Sequence, residues 1–323
     1  MRSLWRLLAL GAAVAVGVAA GTVLYGWYGP GPSTKAQTFT VEEGSSVSAV
    51  AGQLHKAGLV ASVDRFKLGA RFMGSGDPVQ AGEFEIPKGA SGAAILDLLQ
   101  HGKPMQRLIT VTEGMPSIIV EEKLSANSFL TGATPSIPEG SVLPDSYGYE
   151  RGESRGSVVA RMQAAMTKTL DQALKTPGGN CPVSSRQDVL TLASIVEKET
   201  GKASERPMVA GVYCNRLRIG MKLDADPTVI YPITKGKPLG RRIKRSELHA
   251  ITGYNTYREP GLPAGPIANP GKESIAAVLN PAKTNALYFV ADGTGGHVFA
   301  DTLEQHQANV KKWYEIRRQR GEM

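Results

Sequence analysis

Aromatic residues are scarce in this 323-residue chain, at 6%, and it holds only two cysteines and five histidines. So few cysteines exclude a disulfide-dense scaffold, and the separation of Cys181 from Cys214 fits no zinc motif. The histidines form no HExxH or comparable pattern, so no metal and no cofactor is expected. Gly293-Thr-Gly-Gly296 is too loose for a nucleotide loop, and no helix follows it closely. Low-complexity tracts and solenoid periods are also missing. One stretch lacks charge altogether, from Leu7 to Tyr28.

What fills that stretch is mainly Leu, Ala, Val and Gly. As a helix it would cover about 30 Å, the hydrocarbon thickness of a bilayer. Arg2 and Arg6 precede it and no basic residue follows before Lys35, so positive-inside logic places the rest of the chain outside. A cleaved signal peptide is the competing reading. Its apolar region would be about 7–15 residues long with a small-x-small exit, whereas this run is longer and Val18-Ala19-Ala20 is a poor cleavage site. The expectation is a retained inner-membrane anchor over 1–28 with a cytoplasmic N-terminus. Gly29-Pro-Gly-Pro-Ser-Thr34 then reads as part of a linker over 29–36. An extracytoplasmic location turns the net charge of +8 away from nucleic acid and toward acidic lipid or an acidic polymer. It also leaves Cys181 and Cys214 free to form a disulfide, two buried thiols being the alternative.

Hydrophobic residues at 41% and charged residues at 20% suit a globular protein, and the length suits two domains. After the linker, a strand, a glycine and a helix recur. Phe39-Thr-Val41 leads through Gly44 to an apolar-periodic run from Ser46 to Ala57. Phe84-Glu-Ile86 leads through Gly89 to Ala93–Gln100, and Ile109-Thr-Val111 through Gly114 to Ile118–Leu124. Another helical run, Val63 to Phe72, lies between the first two strands. The resulting β-α-α-β order resembles the LysM domain, a small glycan-binding module; a spacer of the same shape is the alternative. Leu143-Pro-Asp-Ser-Tyr147 reads as a turn, Ser157 to Leu174 as a helix, and Thr176 to Ser184 as a loop. Helices follow at Arg186–Thr200, capped by Ser185 with Asp188, and at Arg206–Leu217, with Pro207 in its first turn. Strands at Leu287–Val290 and His297–Phe299 and a final helix from Leu303 to Arg318 complete the chain.

The run Ala193-Ser-Ile-Val-Glu-Lys-Glu-Thr200 concentrates the chemistry. At about 100° per residue, Val189, Leu192, Ala193, Ile195 and Val196 form a broad apolar face, with Glu197 and Glu199 on its opposite margins and Lys198 pointing away. A carboxyl on such a margin is partly desolvated, which raises its pKa and keeps it protonated as a general acid. Periodicity alone equally allows two solvated carboxylates paired with Lys198, Lys202 or Arg206.

Further residues make the pattern specific: Glu205-Arg206, Asn215-Arg216-Leu217, Gly220-Met221, Asp226-Pro-Thr-Val-Ile-Tyr231, Tyr254-Asn-Thr-Tyr257, Gly261-Leu-Pro263, Gly265-Pro-Ile267 and Asn269-Pro-Gly271. Together with Ser194–Thr200, these resemble the endolytic murein transglycosylase family (YceG-like). The resemblance implies a lytic cut between N-acetylmuramic acid and N-acetylglucosamine. One Glu serves as acid and then base, and a 1,6-anhydro end forms. The family's catalytic Glu is the one followed by Ser or Thr, which falls on Glu199; Glu197 is the runner-up, otherwise an orienting or structural partner. Asn215, Arg216, Asp226, Thr228, Asn255 and Tyr257 are suited to binding sugar hydroxyls and acetamides, or to holding Glu199. His297 reads as site-lining or as a strand-end structural residue. Six basic residues between Lys235 and Arg245 form either a solvated loop or a patch attracting anionic lipid or substrate carboxylates. The implied layout is α+β: an N-terminal transmembrane helix, a LysM-like βααβ domain over 37–105 and a mixed α+β catalytic domain over 106–323. Expected partners are peptidoglycan glycan strands, the membrane and peptidoglycan synthases.

Overall fold

The computed structural model describes residues 2–175 and 179–322, so part of the loop expected over 176–184 lies outside the described residues. Helix α1 (Arg2–Tyr28) includes an apolar window, Leu10–Tyr28, long and hydrophobic enough to cross a membrane. Residues 10–26 are exposed, and the side chain of Trp27 is buried. That pattern is compatible with a single-pass anchor. Contacts divide the chain into two compact units, one of residues 1–107 with 149–152 and the other of residues 108–148 with 153–323.

In the first unit, β1 (Gln37–Val41) pairs antiparallel with β2 (Gly82–Ile86), Phe39 opposite Phe84. Alternation sends Phe39, Val41, Phe84 and Ile86 inward and leaves Thr38, Thr40 and Glu85 in water. Between the strands lie α2 (Val47–Lys56) and α3 (Val63–Met73), and α4 (Gly92–His101) follows. Each helix starts at a serine, Ser46, Ser62 or Ser91, whose side chain accepts a backbone N–H from the first turn. The chain reverses before α2 and α4 at Gly44 and Gly89, whose φ values of 75° and 66° favour glycine. Leu54, Leu59, Phe66, Ile95 and Leu99 complete the core, together with Trp27 from α1.

The expected linker is tied down rather than free. Gly31 N–H donates to Gly89 O at 3.1 Å and Gly89 N–H donates to Ser33 O at 3.0 Å, with Ser33 buried. Backbone partners in the turn after β2 hold the segment, which a Gly-Pro composition does not reveal.

Apart from their end residues Arg107 and Tyr149, β3 (Arg107–Val111) and β4 (Asp145–Tyr149) belong to the second unit and pair with each other, and α5 (Ser117–Ala126) follows β3. The stretch expected to be a turn at Leu143–Tyr147 thus runs into a strand, because the edge of β3 supplies the ladder. Helices α6 (Arg155–Ala173), α7 (Arg186–Glu199), α8 (Arg206–Arg218), α9 (Asp226–Thr234), the short α10 (Arg245–Leu248) and α11 (Lys272–Leu279) come next. Strands β5 (Tyr288–Ala291) and β6 (His297–Ala300) form an antiparallel pair, and α12 (Leu303–Gln319) ends the chain. Helix α7 is central. Its Val189, Leu192, Ala193, Ile195 and Val196 pack with Val209, Ala210 and Tyr213 of α8 and with Ile275 and Val278 of α11.

Candidate active site

Both ends of α7 are fixed. Ser185 accepts from Asp188 N–H at 3.0 Å while the Asp188 carboxylate accepts from Ser185 N–H at 3.0 Å. Near the other end, buried Ser194 Oγ accepts from Ile267 N–H at 3.0 Å, which ties the segment before α11 to the helix. The two candidate carboxyls therefore sit on a rigid base, and their surroundings differ sharply.

Glu197 is locked into the protein. Its Oε1 accepts from Arg206 Nη2 at 3.0 Å and its Oε2 from Gly271 N–H at 2.9 Å, with the side chain only 4% exposed. Arg206 also reaches Glu113 at 2.7 Å and Glu273 at 2.5 Å, so one guanidinium gathers three carboxylates. Both oxygens of Glu197 are thus occupied.

Glu199, the last residue of α7, is the opposite case. Its Oε1 is shielded from solvent and has no hydrogen-bond partner. Loss of hydration is the main force on it, lifting its pKa from 4.5 to about 7. A hydrogen bond to Tyr213 and the charge of Arg216 pull the pKa down, while the Asp226 carboxylate pushes it up. Burial in turn holds the Tyr213 hydroxyl well above its ordinary range, with the charge of Glu199 adding to the effect. The result is a carboxyl poised between its two forms near neutral pH.

Three of the six polar candidates converge on this carboxyl. Arg216 is buried, its Nε donating to Leu287 O at 2.7 Å and its Nη1 to Leu223 O at 2.7 Å, so its charge is fixed beneath the site. Asp226 stands exposed at the start of α9 and accepts from the Tyr257 hydroxyl at 2.7 Å. Desolvation and this bond to Asp226 both raise the Tyr257 pKa.

The other three face inward and do not present free polar groups. Asn215 Nδ2 donates to Thr284 O and Ala286 O at 2.8 and 3.0 Å. Thr228 is fully buried, bonded to Ala225 O at 2.6 Å and to Thr256 Oγ1 at 2.9 Å. Asn255 Nδ2 serves three carbonyls, those of Glu247, Leu248 and Ala250, while its Oδ1 accepts from Tyr257 N–H at 3.0 Å. The geometry gives these residues a supporting place: they hold the backbone that carries Asp226, Arg216 and Tyr257. Sugar binding by their side chains would require breaking buried bonds.

His297 is structural as well, with Nδ1 2.8 Å from Glu205 Oε2 and its N–H on Glu205 Oε1 at 3.1 Å. Burial pushes the Glu205 pKa up, but the bonds from His297 and Lys202 outweigh it and hold the carboxyl below its ordinary value. Cys181 and Cys214 are joined, with Cα atoms 4.9 Å apart, linking the segment before α7 to α8. In the basic segment, Lys237 pairs with Glu122 and Arg241 with Glu247, while Lys235, Arg242, Lys244 and Arg245 are exposed. Among the described residues, no group of three or more His, Cys, Asp or Glu side chains is placed to hold a metal ion.

Sequence reasoning missed Tyr213 and the Glu113–Arg206–Glu273 cluster. The spacing of Tyr213 and Arg216, three apart on α8, was a usable signal, since such residues share a face. No local signal links Glu113 or Glu273 to Arg206. A groove of about 520 Å³ in the same unit is bordered by Lys198 and Pro227, the chain neighbours of Glu199 and Asp226, and by Met115, Ile119 and Lys237.

A carboxyl with one shielded oxygen left unpartnered, on a rigid helix end beside exposed Asp226 and half-buried Tyr257, is the arrangement general acid/base chemistry requires, here on an α+β scaffold. The profile of the YceG-like family matches residues 39–312, and the chain belongs to that family. The chain is 31% identical to an endolytic murein transglycosylase of Bacillus subtilis (strain 168), covering 91% of this chain and 90% of that protein. It is also 31% identical to one of Streptococcus pneumoniae (serotype 2, strain D39), over 86% of this chain and 58% of that longer protein. A solved putative YceG-like protein of Listeria monocytogenes shares the fold, with a TM-score of 0.53 at 24% identity, covering 85% of this chain and 99% of that one.

Proposed function

We propose that this chain is an endolytic peptidoglycan lytic transglycosylase with Glu199 as its single acid/base. The observation that carries the reading is the shielded Glu199 carboxyl, with no partner on Oε1 and a pKa lifted to about 7. A carboxyl at that value is protonated often enough to donate to a glycosidic oxygen and basic enough to take a proton back. Transferred to the glycan, Glu199 protonates the oxygen leaving C1 of N-acetylmuramic acid. As a carboxylate, held by Arg216 and Tyr213, it then removes the proton from the C6 hydroxyl. That oxygen bonds to C1 and closes a 1,6-anhydro ring, so no water enters the product. Asp226 and Tyr257 border the site as sugar-binding groups, and Asn215, Thr228 and Asn255 keep them in place. The β1-α2-α3-β2 unit serves as a LysM-like glycan-binding module. Helix α1 anchors the chain with the catalytic unit extracytoplasmic, where nascent strands emerge from glycan synthases and cutting ends their growth.

Digestion of purified sacculi followed by mass analysis tests this. Anhydro-ended products, one water lighter than hydrolytic ones, are expected from the wild-type chain and none from Glu199→Gln. The electrostatic influence of Asp226 on Glu199 favours one alternative, a muramidase in which Asp226 activates water. Products with reducing ends would establish that instead. Absence of any product would point to a glycan-binding scaffold.

A further inference from the structure

Helix α3 presents two large apolar side chains to solvent, Phe72 at 74% exposure and Leu68 at 56%. Four residues apart, they share one face. A groove of about 470 Å³ separates this face from α1, and its lining includes Thr22, Val23, Gly26, Leu68, Phe72 and Met73. Thr22, Val23 and Gly26 belong to the apolar window of α1. The exposed face of α3 therefore lies level with a helix that has the composition of a membrane span.

Packing fixes this arrangement. Trp27 is 3% exposed and its ring centroid lies 5.7 Å from that of Phe66 on α3. A Cβ at Gly69 would fall 2.1 Å from the Trp27 ring, so a side chain there would displace the indole. The start of α3, at Ser62 and Arg65, borders a second groove with Tyr25 and Gly29–Pro32, whereas its end borders Thr22 and Val23. Helix α3 thus runs back alongside α1, descending from the level of the segment after Tyr28 toward that of Thr22. Six residues of helix separate Thr22 from Tyr28, about 9 Å at 1.5 Å per residue. Helices that lie in a membrane surface bury their apolar face about 5–10 Å deep. The polar residues fit as well: Arg65, Lys67 and Arg71 outnumber Asp64 on α3, and the Arg71 guanidinium lies 5.7 Å from the Phe72 ring centroid. Long basic side chains can reach back to headgroups from such a depth.

We propose that α3 is an interfacial membrane helix. Leu68 and Phe72 insert among the acyl chains of the leaflet from which residue 29 emerges, and Lys67 and Arg71 engage anionic headgroups. The proposal rests on the reading of α1 as a membrane anchor, and the test separates the two. The only two cysteines are joined to each other, so single labelling sites can be added. The full chain would be reconstituted in phosphatidylethanolamine–phosphatidylglycerol vesicles with an environment-sensitive fluorophore at Phe72→Cys, Leu68→Cys, Val16→Cys or Glu43→Cys. Nitroxide lipids would then quench at shallow or deep positions. Sites 72 and 68 should be quenched severalfold more by the shallow nitroxide than site 43, which lies beyond the far end of β1. Site 16 should respond to the deep nitroxide. If site 16 is quenched while 72 and 68 behave like 43, the interfacial helix is wrong and the anchor stands. Emission shifted to the blue at 72 without quenching would mean burial against protein, and also overturns it. If site 16 is not quenched, the anchor fails and the interfacial helix with it.

Discussion

Near neutral pH, Glu199 is divided between its acid and carboxylate forms, and two consequences follow at the scale of the residue. With Glu199 as the proposed proton donor, cleavage needs the acid form first, so the rate should fall as pH rises above about 7; a pH–rate profile on sacculi checks this. Stability should change in the same window. The folded pKa of about 7 lies above the ordinary 4.5, so the folded chain holds the extra proton between those values. The stabilising contribution is fully present below the lower value and is lost as pH rises through the upper one. Glu199→Gln cannot ionise. It should abolish cleavage, removing at least the ~10²–10⁴-fold that acid–base assistance supplies. It should also melt later than wild type at alkaline pH, by about 1–3 kcal/mol, with no advantage at acidic pH. Equal melting of the two proteins at every pH would contradict the desolvated carboxyl. Glu197→Gln should do the reverse, losing about 1–3 kcal/mol by weakening a charge-assisted bond from Arg206 while sparing more activity. The chain's own periodicity put both carboxyls on the margins of one apolar face. It could not separate them, because what separates them comes from α8 and from the backbone at Gly271. Tyr213 and Asp226 reach Glu199 from other elements in the same way.

Local signals sufficed for elements that announce their own ends. Helix α7 carries its cap in Ser185 and Asp188, and Ser185→Ala should cost about 0.5–2 kcal/mol in thermal or urea unfolding. Helices α2, α3 and α4 were legible from their helical runs, with a glycine turn before α2 and α4; the serine caps of all three come from the structure. Helix α9 was not. Pro227 in its first turn is ordinary, but Pro232 inside it argues against a helix, and burial of Thr228, Val229 and Tyr231 overrides that local preference. Strand β4 was hidden because Asp-Ser-Tyr-Gly-Tyr lacks apolar alternation and exists only by pairing with β3. The Cys181–Cys214 bond closes a loop spanning 33 positions, and a loop of that length is worth about 3–4 kcal/mol through the unfolded state. Reduction should lower the unfolding midpoint accordingly. A mass after denaturation and alkylation that is the same with and without reduction would rule the bond out.

At the scale of the molecule, the boundary between the exposed apolar helix and the packed core of the first unit falls earlier than composition suggests. The apolar run ends at Tyr28, yet Trp27 belongs to the core of the first unit and residues 31–33 are bonded to the turn at Gly89. A chain cut after residue 28 should lose about 3–5 kcal/mol, the usual effect of removing a buried tryptophan. One beginning at Gly26 should keep it, and urea unfolding of the two would decide. The same stapling bears on how the first unit turns. A domain on a slack tether tumbles as it would in water, whatever its anchor does. Here Trp27, wedged against Phe66 and Gly69, makes α1 an axle. In a bilayer, rotation of the first unit about that axis would be set by the viscosity of the lipid, and its tilt by the tilt of a single helix.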